Sequence, residues 1–372
     1  MKAFNLVATK NSSGTKTFIS NLLLQINNAD LKDTIIVFIS KSYLKLVHEK
    51  YNKKVIYKVK PNYLNNFILR SIWLHFFLPF ELKNLGIKIL FSPLNYTPFL
   101  IKFFNVRSIL FVHTVMPWEY PHLLPGTLLK NKLIKKLMEF SINISEKVIV
   151  PSKYAKDIIL KKTNKNDSDI SVVNLGADHI LKSENMKFKL KDFDYEQKYI
   201  FSVLSCVEYH NIINLLKAYK FLINESIIKF KFVLVLKILD KNYYFQIRNF
   251  IKKNFLGDQI IIFKDLDNEY LHNLYKHSNI YIFSSYSETF GFSTLEAMEF
   301  NIPSLVSETS ALKEINGDFP TYFDPDDIKD IGNKLLKISS NDKIDLEPIK
   351  IRQKKRYTWN KCFNEIFQII YK

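Results

Sequence analysis

The chain has 372 residues, 47% of them hydrophobic, which is more than one core ordinarily serves and enough for two domains of usual size. Lys plus Arg number 54 against 36 Asp plus Glu, a formal net charge of +18 that draws anionic partners. Arginine stands only at positions 70, 107, 248, 352 and 356, so lysine carries the excess; lysine lacks the planar fork that reads guanine, and nucleic acid is not an expected partner.

Cys206 and Cys362 are the only cysteines, too few for a disulfide framework or a zinc site, which fits a reducing compartment. Met1 to Ser13 reads as a strand and loop without an apolar signal core. The most apolar stretch, Ser71 to Phe80, is far shorter than the ~20 residues of a membrane span. The expected location is cytoplasmic, with the lysine surface able to lie against the anionic inner face of a membrane.

In chain order, strands are predicted at Phe4 to Ala8, Thr34 to Ser40, Ile87 to Phe91, Ser108 to His113 and Lys147 to Pro151. Each is short, apolar and bounded by polar or proline punctuation. Between them Thr17 to Ile26, Asn66 to Phe77, Thr127 to Ile142 and Lys153 to Lys161 have helical spacing. Leu181 to Lys198 breaks the rhythm and reads as a link. The alternation then restarts with strands at Tyr199 to Leu204, Phe232 to Lys237, Gln259 to Phe263, Ile280 to Ser284, Ser304 to Ser307 and near Tyr322. The helices of this half are predicted at Ile212 to Ile223, Tyr243 to Asn254, Asn268 to His277, Thr294 to Phe300 and Asp327 to Ile338. Such alternation implies α/β architecture: two Rossmann-like, doubly wound parallel-sheet domains facing each other across an interdomain cleft. The division is 1–180, a linker at 181–198, 199–355, and a final helix at 356–372.

Chemistry concentrates in Ser284 to Pro303. A strand ends at Ser284, a loop carries Glu288 and Gly291, and a helix opens at Ser293 or Thr294. Backbone N–H groups of Phe290 to Thr294 then point into the crevice at the strand's C-terminal end, an anion site by geometry. Glu288 and Glu296 straddle it, two acceptors suited to hydroxyl groups at either end of a diphosphate. A structural alternative stays open, since Ser293 and Glu296 also satisfy the capping-box pattern. Glu288 could equally be a solvated loop carboxylate, and Gly291 a simple turn residue.

This segment resembles the nucleotide-sugar glycosyltransferases of the retaining family 4. Their hallmark, Glu, seven residues, Glu around an aromatic-Gly-apolar core, appears as Glu288, Thr289, Phe290, Gly291, Phe292 and Glu296-Ala297-Met298. Asn268 to Ser285 upstream, with Ile302 to Ile315 and Phe323 to Asp327 downstream, are similar to the family's flanking elements. The first half matches more loosely, at Ser12 to Thr15, Ser108 to Pro117, Val148 to Ser152 and Asn174 to Asp178.

The resemblance implies a GT-B fold, with the first domain on the acceptor side and the second holding the nucleotide sugar. Glu288 would bond the transferred sugar's hydroxyls, Thr289 to Phe292 and Thr294 would surround sugar and diphosphate, and Glu296 would hold the ribose. His113 matches the cleft histidine near the anomeric carbon, and Ser13, Gly14 and Thr15 an acceptor or phosphate loop. The last helix would pack back across the cleft. No cofactor and no metal are implied; the partners are the nucleotide sugar and a glycan or lipid-linked acceptor of surface polysaccharide or lipopolysaccharide synthesis.

One departure stands out: Ser205 and His210 occupy the positions where the family presents an Arg and a Lys to the diphosphate. Lys237 is a candidate substitute cation. A departing diphosphate needs positive charge, so a catalytically degenerate sugar-nucleotide-binding protein is the second reading. A glycoside hydrolase would need two carboxylates aimed at one bond from opposite sides, whereas these flank a helix start.

Overall fold

Largely apolar runs such as Ile35–Ser40 and Ile280–Phe283 are buried along their whole length, as strands covered on both faces must be. The computed structural model describes residues 1–8, 13–47, 52–180, 188–224, 228–340 and 356–372. It divides into a first unit, Met1–Trp118, Leu129–Gly176 and Trp359–Lys372, and a second, Glu119–Leu128 and Ala177–Thr358.

The first unit holds β1 (Lys2–Leu6), β2 (Ile35–Ser40), β3 (Val55–Lys60), β4 (Ile89–Ser92), β5 (Arg107–Phe111), β6 (Lys147–Val150) and β7 (Ile170–Val172). They form one parallel sheet in the order β3-β2-β1-β4-β5-β6-β7. β1 is central, with Ala3 paired to Ile36 on one side and Leu90 on the other. Around the sheet run α1 (Ser13–Asn28), α2 (Phe67–Ile72), α3 (Leu78–Asn84), α4 (Met116–Glu119), α5 (Leu128–Ile144) and α6 (Lys153–Lys162). One core joins Trp73, Leu74, Leu78 and Leu82 to Ala3, Phe38 and Leu90; another joins Met138, Ile142, Ala155 and Ile159 to Leu110, Val148 and Val150.

The second unit contains β8 (Tyr199–Cys206), α7 (Ile212–Asn224), β9 (Lys231–Ile238), α8 (Lys241–Lys253), β10 (Ile260–Lys264), α9 (Asn268–His277) and β11 (Ile280–Phe283). It continues with α10 (Phe292–Glu299), β12 (Ser304–Ser307), α11 (Leu312–Asn316), β13 (Thr321–Phe323) and α12 (Ile328–Ser339). Its sheet is parallel in the order β10-β9-β8-β11-β12-β13. Both sheets reverse their winding direction beside their first strand, between β1 and β4 and between β8 and β11. Crevices for ligands arise at the C-terminal strand ends at such points.

Several expectations change. β3 was not foreseen: its lysines interrupt the apolar run, which suits a sheet edge where lysine discourages pairing with other chains. The short β7 was missed as well. The helix predicted over Asn66 to Phe77 is α2, a wider π turn at Trp73–Phe77, and α3. Pro79 has no N–H for the carbonyl of His75 and its ring crowds that carbonyl; the wide turn absorbs both defects. Within the expected linker, 181–187 lie outside the described residues. The rest packs onto the second unit, with Phe193 against Tyr195 and Tyr199 at 4.8 and 5.5 Å and the Leu190 N–H donating to the Tyr195 hydroxyl. The final helix, α13 (Trp359–Tyr371), belongs to the first unit, where Trp359 meets Phe18 and Phe367 meets Phe4.

His75 lies in the wide turn, 5% exposed and stacked on Phe99 at 3.7 Å; its Nδ1 has no partner among the described residues. Burial pushes its pKa down to about 4, from 6.5. The unfolded chain therefore binds a proton between pH 6.5 and 4 that the fold refuses. Stability is full above that window and falls through it, by an amount on the order of 3 kcal/mol from this one group. We expect His75→Phe to flatten the loss between pH 7 and 4.5 in urea unfolding; a slope equal to wild type would remove His75 as a cause.

Candidate functional site

In the second unit, the loops leaving β8 and β11 are stitched together. Ser284 Oγ donates to the His210 carbonyl at 2.6 Å and the Tyr286 N–H to the Tyr209 carbonyl at 2.8 Å. Ser307 and Thr309, at the end of β12, both donate to the Ser285 carbonyl. Three strand ends are thus tied around one point, and the residues they carry have little freedom.

Gly291 makes the turn from β11 into α10. Its φ of 78° lies in the left-handed region, and a Cβ there would stand 2.7 Å from Leu312 Cδ2, a buried side chain. Only glycine meets both demands without strain. The helix begins at Phe292, slightly earlier than predicted, and Thr294 Oγ1 donates to the Gly291 carbonyl at 2.8 Å. The Gly291 and Ser293 backbone N–H groups have no acceptor among the described residues. Thr289, Phe290 and Thr294 are buried around this entrance.

The capping-box alternative for Glu296 is not what the fold makes: Gly291 is the N-cap and no side chain caps the helix. Glu296 instead accepts the Tyr275 hydroxyl on Oε2 at 2.8 Å and faces His179 Nε2 from Oε1 at 3.0 Å. Its carboxylate is therefore held from two sides. Neither partner was foreseen; Tyr275 sits in a helix whose apolar periodicity masks a polar task, and His179 carries no motif of its own.

Glu288 is fixed through its backbone, its N–H donating to Ser310 Oγ at 2.8 Å and its carbonyl accepting the Ala311 N–H at 3.2 Å. Its carboxylate lies 3.3 Å from His210 Nε2. His210 is 6% exposed, and its Nδ1 is buried with no partner among the described residues. Ser205 is half-buried near the end of β8. Lys237, the candidate substitute cation, pairs with Asp265 at 2.9 Å instead. The Asp324 to Asp327 cluster serves the start of α12, where Asp327 accepts the N–H groups of Lys329 and Asp330. Among the described residues no three His, Cys, Asp or Glu side chains converge as a metal site.

In the first unit, the expected loop at Ser13 to Thr15 is the first turn of α1; Ser12 and the Ser13 side chain lie outside the described residues. Gly14 has open space where a Cβ would stand. Thr15 lines a cavity of about 140 Å³ together with His113, at the reversal point between β1 and β4. His113 is packed between Phe18 and Phe111, with ring centroids at 4.6 and 4.4 Å, and its Nε2 lies 2.7 Å from the Pro93 carbonyl. Burial pushes its pKa down to about 4, so at neutral pH the ring is uncharged, Nε2 donating to Pro93 and Nδ1 left as the acceptor.

Two parallel sheets in Rossmann order, the second with a helix entrance flanked by glutamates, define the class of the GT-B glycosyltransferases. Residues 16–180 match the family described as Glycosyltransferase Family 4, and residues 183–356 that described as Glycosyl transferases group 1. The chain belongs to the family-4 type glycosyltransferases. It is similar to the O-antigen chain mannosyltransferase RfbU of Salmonella typhimurium, 24% identical over 218 residues that cover 59% of this chain and 57% of that protein. The chain spans less than two thirds of the length of the curated relatives it matches, from RfbU at 57% to mannosyltransferase WbdA of Escherichia coli at 27%. In fold it is similar to the Anabaena protein HepE in complex with UDP and glucose, at a TM-score of 0.71 and 12% identity over 100% of this chain and 99% of that one.

Replacing Gly291 by alanine should destabilise the protein by roughly 1–3 kcal/mol through left-handed strain and contact with Leu312. A lowered chemical-denaturation midpoint checks it, and an unchanged one would mean the turn tolerates a side chain.

Proposed function

We propose that this chain transfers a sugar from a nucleoside-diphosphate sugar to a glycan or lipid-linked acceptor in surface polysaccharide synthesis, with retention at the anomeric carbon and no metal. The observation that carries the reading is the helix entrance whose Gly291 and Ser293 N–H groups have no acceptor among the described residues, in a segment that carries Glu288 before it and Glu296 within the helix. The helix N–H groups receive the diphosphate oxygens, Glu288 accepts hydroxyls of the transferred sugar, and Glu296 accepts the ribose hydroxyls. Tyr275 and His179 hold Glu296 in place for that task.

In the reaction, the bond from the anomeric carbon to the diphosphate oxygen breaks with its electron pair going to the diphosphate. The acceptor oxygen bonds to that carbon, and its proton passes to a phosphate oxygen. His210, standing where the family has a lysine, supplies a hydrogen bond or, once protonated, positive charge to the departing group. The names of RfbU, a mannosyltransferase, and of HepE, bound to UDP, support a hexose donor and a nucleoside diphosphate carrier.

Glu288→Ala should lower transfer by about a hundredfold or more while leaving the far-ultraviolet circular dichroism unchanged. Nucleoside diphosphate release from a panel of UDP- and GDP-sugars reads this, and wild-type rates in the variant would take Glu288 out of the site. The second reading, a binding protein without turnover, rests on Ser205 and His210; it is favoured if calorimetry finds tight donor binding with no transfer to any acceptor.

The same reading places the chain against an anionic bilayer. Phe76, Phe77 and Phe80 are each more than half exposed, with Lys83 and Lys102 exposed nearby in the sequence or fold, where Lys83 lies over the Phe104 ring that Phe80 contacts. No helix among the described residues is long and apolar enough to cross a membrane. Co-sedimentation should be stronger with phosphatidylglycerol than with phosphatidylcholine vesicles and drop several-fold in Phe76→Ser/Phe77→Ser. Recovery of the variant on phosphatidylglycerol vesicles equal to that of wild type would reject this surface.

A further inference from the structure

Among the described residues Arg70 is a cation without a counter-ion. It sits on α2, its guanidinium anchored on one side by the carbonyls of Leu64 and Asn65, which accept from Nη1 at 3.1 and 3.4 Å. No carboxylate pairs with it among the described residues, although ion pairs are made elsewhere in the same unit, such as Lys60 with Glu81 and Arg107 with Glu146. Burial lowers its pKa from the ordinary value, as partial desolvation of the charge requires. A guanidinium in that state is costly unless an anion arrives to meet it.

Arg70 faces the first unit's cavity, and the other groups there share its preference. Tyr96, Asn5 and Asn95 line the space, each carrying a group able to donate. Asn5 and Asn95 have their Oδ1 atoms already occupied, by the Val7 N–H at 3.3 Å and the His113 N–H at 2.6 Å, which turns their amino groups to face other partners. Among the described residues no Asp or Glu lines the cavity, and the first turn of α1, which supplies Thr15, contains no acidic residue. Several donors, one of them charged, with no carboxylate among the described residues around them, at the reversal point of a parallel sheet, are the chemistry of an anion pocket.

We propose that this cavity binds an anionic group, phosphate or carboxylate, carried by the acceptor, and that Arg70 is the residue that selects it. The inference rests on the reading of this chain as a glycosyltransferase and narrows its acceptor class to one bearing a negative charge. The guanidinium offers a planar pair of donors to the anion, Tyr96 and the asparagines complete the shell, and neutral His113 beside them adds no competing charge.

Calorimetric titration of the full chain with inorganic phosphate, glucuronate and glucose tests it, in wild type, Arg70→Gln, and Tyr96→Phe, the last removing one hydroxyl with little risk to the fold. The expected result is Arg70-dependent binding of phosphate or of glucuronate, weakened about tenfold or more in Arg70→Gln and several-fold in Tyr96→Phe, with glucose unaffected. Phosphate responding alone identifies a phosphorylated acceptor, and glucuronate alone an acidic sugar. Equal affinity of all three proteins for both anions, or binding of glucose without either anion, overturns the proposal. Titration with UDP and GDP in parallel separates the two levels: if nucleoside diphosphate binding is lost in Glu296→Ala but the anions ignore Arg70, this inference fails while the donor reading stands.

Discussion

The left-handed turn at Gly291 is the constraint on which the second unit's site depends. It ends the run from β11 abruptly enough that α10 starts over the strand end with its first N–H groups uncovered. Any side chain at this position would meet Leu312 and an unfavourable φ at once. The turn also fixes the spacing of the two acids. Glu288 stays on the loop, tied by its backbone to Ser310 and Ala311, while Glu296 falls on the helix, where Tyr275 and His179 reach it. A sequence that could cap the helix with Ser293 instead uses glycine there, and Glu296 is left available for polar work.

The two units solve the same problem with the same strand order and different side chains. In each, the strand order reverses beside the first strand, the point where crevices arise at the C-terminal strand ends. The second unit sets acids around that opening, suited to the hydroxyl-rich ends of a nucleotide sugar. The first sets a half-buried guanidinium and neutral donors around it, suited to an anion. Charge at the first site is therefore local and specific, unlike the diffuse +18 of the whole chain, most of which is exposed lysine screened by salt.

Much of this was legible in the sequence, for identifiable reasons. Strands buried on both faces announce themselves as unbroken apolar runs, and those of both sheet centres are found within a few residues of their predicted bounds, from β1 to β12. The edge strand β3 hid behind its lysines, and α3 behind Pro79, because in both cases tertiary context overrides a local signal. The Glu288 and Glu296 spacing could be read because one loop and one helix carry both. What binds them could not: His179 lies 117 positions from Glu296 and His210 is 78 positions before Glu288, and only the sheet order brings such pairs together. Arg70 went unread for the same reason, since its missing counter-ion is a property of the folded surroundings and not of its neighbours in the chain.

The central claim is that the entrance of α10, between Glu288 and Glu296, grips a diphosphate. A crystal structure of the protein soaked with a nucleoside diphosphate tests it most directly. The account predicts phosphate oxygens within hydrogen-bonding distance of the Gly291 and Ser293 N–H groups and the ribose against Glu296. Nucleotide bound elsewhere, with that helix start left empty, would contradict it.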